Sequence, residues 1–297
     1  MSTSWIRLAA PRLAAALVLA APGAAAGTDR LTGPLQALAA DAGATAWIGE
    51  QIRWNETGGR RDRLTYWAPG EDHASLGVGH VIWYPAGRRG PYRESFLDLL
   101  AFLDRRGVAL PSWLDPALDP ALDPAPPCPW PDRAAFLAAA ADPRMVELRD
   151  FLAATVPEQT AFLLERLRLA LPTILAMAAE PGAIEHRLAR LLRTADGVPS
   201  PEGLYVLADY VNFKGEGTAP AERYRGVGWG LLQVLEAMAD GPGEARTPFA
   251  DAADAVLTRR VALAPPERDE TRWLEGWLQR VGTYRRARFE GAAASHS

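Results

Sequence analysis

The stretch Trp54–Trp83, WNETGGRRDRLTYWAPGEDHASLGVGHVIW, marks the change from a helical to an extended pattern. Before it, residues 41–55 repeat apolar side chains at a helical spacing, and Gly58-Gly59 is a typical helix stop. Beyond the stop, aromatic and β-branched pieces are separated by Pro-Gly and Gly-x-Gly turns, which predicts a small β-hairpin or meander. Glu56 is therefore expected at the end of a helix that leads directly into a sheet.

The rest of the chain is predicted to be almost entirely helical, so the expected fold class is α+β, mainly α. A tandem repeat ending in a Pro-rich run, LDPALDPALDPAPPCPWP at about 114–131, predicts an extended surface loop within one domain covering residues 27–297. Helices are expected at 92–106, 132–140, 144–153, 157–177, 183–193, 201–211, 229–239, 247–261 and 269–288.

The first 26 residues have the layout of an export signal. Two arginines precede the apolar run LAAALVLAA, and small residues follow it up to Ala26, where we expect cleavage. No later stretch is long and apolar enough for a membrane helix, so no membrane anchor is expected in the mature chain. The predicted location is the periplasm or the cell exterior.

The bulk composition excludes several classes of protein. A net charge of -4 and a pI near 5.7 give no electrostatic basis for nucleic-acid binding. The single cysteine, Cys128, cannot form an internal disulfide. His73 and His80 do not match a standard metal-binding spacing, so neither a metal site nor a cofactor is expected. Nothing in the composition indicates an oligomeric state.

Glu56 has the surroundings expected of a proton donor for glycosidic cleavage. The negative end of the helix dipole and the neighbouring Trp54 are both expected to raise its pKa. The Gly-Gly turn is expected to fold Glu71, Asp72 and Ser75 back opposite this carboxyl group. Flat apolar faces suited to sugar rings are offered by Trp47, Trp54, Tyr66, Trp67, Trp83 and Tyr84.

Two stretches together resemble phage-type lysozymes of the lysozyme-like superfamily. One is the helix-ending glutamate followed by a hairpin and a Ser-x-Gly-x-Gly-His turn; the other is the segment Asn-Phe-Lys-Gly-Glu-Gly that begins at Asn212. The resemblance implies a lysozyme-like fold with a small β-element, a long helical insert without a counterpart, and cleavage of the β-1,4 bonds of peptidoglycan. It also implies site residues. Glu56 would be the general acid, Asp72 or Glu71 the second carboxylate, and Ser75 a group that positions water or substrate, with glycan contacts from Trp67, Gly77, Gly79, His80, Tyr210, Asn212 and Lys214.

The sequence departs from the family pattern at the second carboxylate. The family's aspartate position falls on Pro69, so either Asp72 serves after a small insertion or the second carboxylate is absent. Its absence would favour the single-glutamate arrangement of lytic transglycosylases, in which the sugar's own 6-hydroxyl closes an anhydro ring. A third hypothesis is a non-catalytic peptidoglycan-binding or scaffold protein that retains the cleft.

The last predicted helix has two faces. Trp273, Leu274, Trp277, Leu278 and Val281 are expected to pack against the core, whereas Arg280, Arg285, Arg286 and Arg288 form a basic face that we expect to be solvated. Lys214, the only lysine of the chain, is expected to contact carboxylates or N-acetyl groups of a glycan.

Overall fold

A computed structural model describes residues 22–90, 93–115 and 126–290. Eleven α-helices and five short strands lie within these ranges, so the predicted mainly helical α+β class is confirmed. Residues 1–21 of the predicted signal and 116–125 of the predicted loop lie outside the described residues. The helices are α1 (Pro22–Ala40), α2 (Ala42–Thr57), α3 (Phe96–Arg105), α4 (Arg133–Ala138), α5 (Pro143–Ala154), α6 (Val156–Met177), α7 (Pro181–Leu191), α8 (Pro201–Lys214), α9 (Leu231–Ala237), α10 (Arg246–Leu263) and α11 (Thr271–Arg286).

Helix α2 places Glu56 in its last turn. The helix begins after Asp41, whose side chain accepts a hydrogen bond from the Ala44 amide at 3.0 Å, and it buries Ile48 and Ile52 one turn apart. It ends at Gly58, which adopts a left-handed conformation with φ of 61° and donates its amide to the carbonyl of Trp54. The predicted helix and its glycine stop are both confirmed.

The predicted β-element is a three-stranded antiparallel meander of β1 (Thr65–Tyr66), β2 (Ala74–Leu76) and β3 (Val81–Trp83). Tyr66 pairs with Ser75, and Ser75 pairs with Ile82. Because cross-strand partners project to the same side of a sheet, these three side chains form one row. The opposite face is buried and packs into the core.

A second, very short hairpin follows α8 and was not predicted. It consists of β4 (Arg223–Tyr224) and β5 (Val227–Gly228). Helix α1 was not predicted either, although Leu31, Leu35 and Leu38 are buried at a helical spacing. Within the described ranges, no helix is both long enough and apolar enough to cross a membrane.

Helix α8 runs through the core. Every residue from Gly203 to Val211 is buried, as expected of a helix surrounded by other elements. The described end of the Pro-rich segment is also packed, since the Trp83 indole donates to the Pro126 carbonyl at 2.9 Å, and Cys128 and Trp130 are buried. That end is therefore part of the core, because its apolar side chains cover the inner face of the sheet.

Candidate active site

The Glu56 carboxylate is held by side chains from three distant parts of the chain. Its Oε1 accepts hydrogen bonds from Arg280 Nη2 at 2.6 Å and from Asn212 Nδ2 at 3.0 Å, while Oε2 lies 3.0 Å from His80 Nδ1. The side chain is only 9% exposed. The helix-ending glutamate, the Gly-x-Gly-His turn and the segment that begins at Asn212 therefore meet at one carboxylate.

Arg280 is oriented by a buried aspartate. Asp209, on α8, accepts hydrogen bonds from Arg280 Nε at 2.9 Å and Nη2 at 2.7 Å. It also accepts from the Tyr284 hydroxyl at 2.6 Å and from Asn55 Nδ2 at 3.2 Å. Both oxygens of this fully buried carboxylate are satisfied, so the network fixes the guanidinium beside Glu56.

The prediction that the pKa of Glu56 is raised is wrong for the protein without bound glycan. Burial on its own would raise this pKa, but the positive charge of Arg280 and the contact with His80 outweigh burial and hold the pKa well below its usual range. Trp54 does not shield the carboxyl group as expected, since it is 61% exposed. Glu56 is therefore ionised at neutral pH.

A cleft of about 640 Å³ adjoins this carboxylate. His80, Gly79 and Ile82 form its sheet side, α3 and α6 form its long walls, and Asn212 lies at the α8 side. The cleft is strongly polar, since its lining includes Arg93, Asp98, Arg105, Glu165, Arg166, Glu216 and Glu222. Glu56 is not one of the residues that line this cleft; it lies behind His80 and Asn212, which contact both the cleft and the carboxylate.

His80 has an unusual conformation at this position. Its φ of 45° is a left-handed value that few residues other than glycine adopt. Its ring stacks on that of Tyr66 at a centroid distance of 6.2 Å, and its Nε2 is buried without a hydrogen-bond partner in the described part of the chain. Strained backbone and an unsatisfied polar atom both occur more often at functional sites than elsewhere.

The two predicted second carboxylates point elsewhere. Asp72 is exposed and pairs with Arg88 at 3.4 Å, and Glu71 lies 3.7 Å from His73. Ser75, by contrast, lies in the half-buried row on the sheet between Tyr66 and Ile82, on the side that borders the cleft. Of the three residues expected opposite Glu56, only Ser75 lies on the cleft side of the sheet.

The glycine turn packs mainly against the protein itself. Gly77 has a φ of 68°, and a Cβ there would lie 2.1 Å from Gln159 Oε1. That oxygen accepts the Val78 amide at 2.9 Å, so the turn is docked on α6. Gly79 lines the cleft, where a Cβ would lie 2.7 Å from Leu163 Cδ2. The backbone at Gly77 therefore has no room for a polymer, in contrast to the expectation.

Three predicted glycan-binding residues are in the core. Trp67 is buried and donates its indole N–H to the Glu71 carbonyl, and Tyr210 is fully buried and donates to the Trp229 carbonyl at 2.9 Å. Lys214 is also buried, with Nζ 3.2 Å from the centroid of the Trp277 ring. These side chains offer no surface to a polymer in this conformation.

Burial and two neighbouring arginines hold the pKa of Lys214 well below its usual value. The ammonium lies between the rings of Phe213 and Trp277, while Arg260 lies over Trp277 and Arg280 over Phe213. Basic side chains and aromatic rings thus alternate in the order Arg260, Trp277, Lys214, Phe213 and Arg280, and Arg280 pairs with Glu56. This stacking joins α8, α10 and α11.

The sequence did not reveal Arg280 or Asp209 as site residues. Arg280 was expected on a solvated face, but the structure buries it because two carboxylates surround it. The available signal was Asp209 itself, a lone charge in the apolar run LYVLADYV, since a buried carboxylate requires a partner. Trp273, expected in the core, is 42% exposed.

Comparison of the chain with protein-family models, curated proteins and solved structures finds no match. Within the described residues, no group of three or more His, Cys, Asp and Glu side chains is arranged to hold a metal ion. The geometry around Glu56 is therefore the feature of the molecule that indicates a function.

Proposed function

We propose that this protein is an exported glycosidase with a lysozyme-like fold that cleaves the β-1,4 bonds of peptidoglycan, with Glu56 as the proton donor. The observation that supports the proposal is the convergence at Glu56. Three motif pieces, the helix-ending glutamate, His80 of the glycine turn and Asn212, come from separate regions of the sequence and contact the same carboxyl group.

The proposed role requires that the pKa of Glu56 rise when glycan binds, because a carboxylate cannot protonate a leaving oxygen. Burial is the influence that raises this pKa, and Arg280 and His80 are the groups that lower it. The Glu56 side chain is already only 9% exposed, so a glycan strand that covers the cleft adds little further burial. Turnover then depends on loosening the contact of Glu56 with Arg280 or its contact with His80.

The second half of the reaction does not use Asp72 in this proposal, since Asp72 pairs with Arg88 in solvent. Two routes remain. Water held near Ser75 can complete a hydrolysis, or the sugar's 6-hydroxyl can close an anhydro ring as in lytic transglycosylases. The single glutamate beside the cleft turn favours the anhydro route.

Mass spectrometry of purified peptidoglycan after incubation with the protein tests the proposal. We expect soluble muropeptides from the wild type and none from Glu56→Gln, which keeps the shape of the side chain and removes the acid. Asp72→Asn is the matched control and should retain activity. Anhydro-muramic ends would identify the transglycosylase route and reducing ends the hydrolase. A Glu56→Gln variant as active as the wild type would refute the role of Glu56.

A non-catalytic peptidoglycan-binding protein is the second candidate. The observation that favours it is the pairing of Glu56 with Arg280 within a satisfied, buried network, which is also the arrangement of a purely structural salt bridge. Binding to insoluble peptidoglycan without release of soluble fragments, by both wild type and Glu56→Gln, would support this candidate over the enzyme.

A further inference from the structure

The structure separates the aromatic residues near Glu56 into buried and exposed groups. Trp67, Trp83 and Tyr84 are buried, and Trp47 packs edge-on against Tyr205 and Phe289. Tyr66, by contrast, is 41% exposed. The exposure of Tyr66 follows from strand geometry, because its strand neighbour Thr65 is buried and successive side chains project to opposite faces of a sheet.

Tyr66 occupies a defined place on the sheet. It heads the row Tyr66, Ser75, Ile82, which spans about 10 Å across three strands. Ile82 lines the cleft at the other end of the row. The row is therefore a strip with an aromatic ring at one end, a hydroxyl in the middle and an aliphatic group at the other end.

The Tyr66 ring is also ordered relative to Glu56. It stacks on His80 with an angle of 19° between the ring planes, and His80 Nδ1 lies 3.0 Å from Glu56 Oε2. Single exposed apolar residues are common on protein surfaces and usually need no explanation. Tyr66 differs from these because one ring face is supported by a residue that contacts the candidate catalytic carboxyl group.

We propose that Tyr66 is a sugar-stacking platform, whose exposed ring receives the apolar C–H face of a pyranose unit of the bound glycan. This proposal rests on the proposed function, since it identifies a subsite beside the same cleft, adjoining it through His80 and Ile82. Ile82 extends the apolar contact, and the Ser75 hydroxyl between them supplies a hydrogen-bonding group for a sugar hydroxyl. The ligand class is a β-linked glycan with unsubstituted ring faces.

The test separates binding from turnover. Binding of soluble, uncross-linked glycan strands is measured by calorimetry in the Glu56→Gln background, so that the ligand is not consumed. Tyr66→Ala is compared with Tyr66→Phe, which keeps the ring, and with Trp273→Ala. Trp273 is the matched control, because it is 42% exposed, lies on α11 and is not part of the row Tyr66, Ser75, Ile82. Equal unfolding midpoints verify that each variant is folded.

We expect Tyr66→Ala to raise the Kd about ten-fold, as is typical for removal of an aromatic anchor, with the two other variants within about two-fold of the parent. In the active background, KM should rise while kcat and its pH profile stay unchanged. An unchanged Kd for Tyr66→Ala would overturn the platform. A changed kcat and pH profile at constant Kd would also overturn it, because Tyr66 would then act by positioning His80 and not by binding glycan.

Failure of the proposed function has a different signature. A wild-type protein that binds glycan without cleaving it removes the enzymatic proposal and leaves the Kd comparison decisive for Tyr66. A parent that does not bind glycan at all overturns both proposals, and this result is read before any Tyr66 variant is measured.

Discussion

Replacing Arg280 with methionine removes the cation shared by Glu56 and Asp209. Three hydrogen bonds of 2.6–2.9 Å are lost, and two buried carboxylates remain. Asp209 keeps the Tyr284 hydroxyl, and Glu56 keeps His80 and Asn212. Because removing one partner of a buried ion pair leaves an uncompensated charge, we expect a loss of about 3–5 kcal/mol in the free energy of unfolding at pH 7.

The loss should depend on pH. In the wild type the pKa of Glu56 is lowered on folding, so its contribution is present above about pH 4.5 and is lost as the pH falls. In the variant only His80 still lowers this pKa, and we expect burial to outweigh it, so that the folded state takes up a proton and gains stability as the pH falls. Between pH 7 and pH 4 the difference should shrink by at least about 1.4 kcal/mol, the equivalent of one pKa unit.

Urea denaturation at pH 7, 5.5 and 4 measures these differences. Arg285→Met is the matched control, since Arg285 lies on the same helix and pairs with Asp251 and Asp254 while remaining partly exposed. We expect the control to lose no more than about 1 kcal/mol. A penalty for Arg280→Met below about 1 kcal/mol, or one that is equal at pH 7 and pH 4, would refute the reasoning.

Two further substitutions test the packing around the site. Lys214→Met should stabilise the protein at pH 7 and remove a rise in stability toward pH 10, because the pKa of Lys214 is lowered on folding. Thermal denaturation between pH 7 and pH 10 measures both effects. A destabilised variant would show that the contact of Lys214 with Trp277 contributes more than the burial of its charge costs. Gly77→Ala should lower the free energy of unfolding, measured by urea denaturation, by at least about 2 kcal/mol, since its Cβ would meet Gln159. Gly87 also has a positive φ, of 71°, but open space around it, so Gly87→Ala should lower the free energy of unfolding by only about 1 kcal/mol. Equal losses would contradict the close packing at Gly77.

Long amphipathic helices could be predicted from the sequence because their cores are periodic. Helix α1 has the same periodicity at Leu31, Leu35 and Leu38, but Gly33 and Pro34 interrupt it with the residues that usually end a helix. The hairpin β4–β5 has only two residues in each strand, too few to show an alternating pattern.

The candidate site was only partly predictable. Glu56, His80 and Asn212 belong to motifs with recognisable local patterns, and the structure brings these three residues together. Which of Thr65 and Tyr66 is exposed depends on the register of one two-residue strand, which local sequence does not fix. Arg280 depends on a contact with Asp209 that crosses 71 positions of the chain, and a single sequence carries no record of such a pairing.

The ion pair between Glu56 and Arg280 also has a consequence for the order of folding. The two residues are 224 positions apart, so during synthesis Glu56 emerges from the ribosome long before its partner. Until α11 has been made, Glu56 and Asp209 lack their shared cation, and burying them is unfavourable. The helical core around α8 can therefore close fully only when the last helix docks. A chain that ends before Arg280 would retain most of the apolar core but would have two uncompensated negative charges inside it.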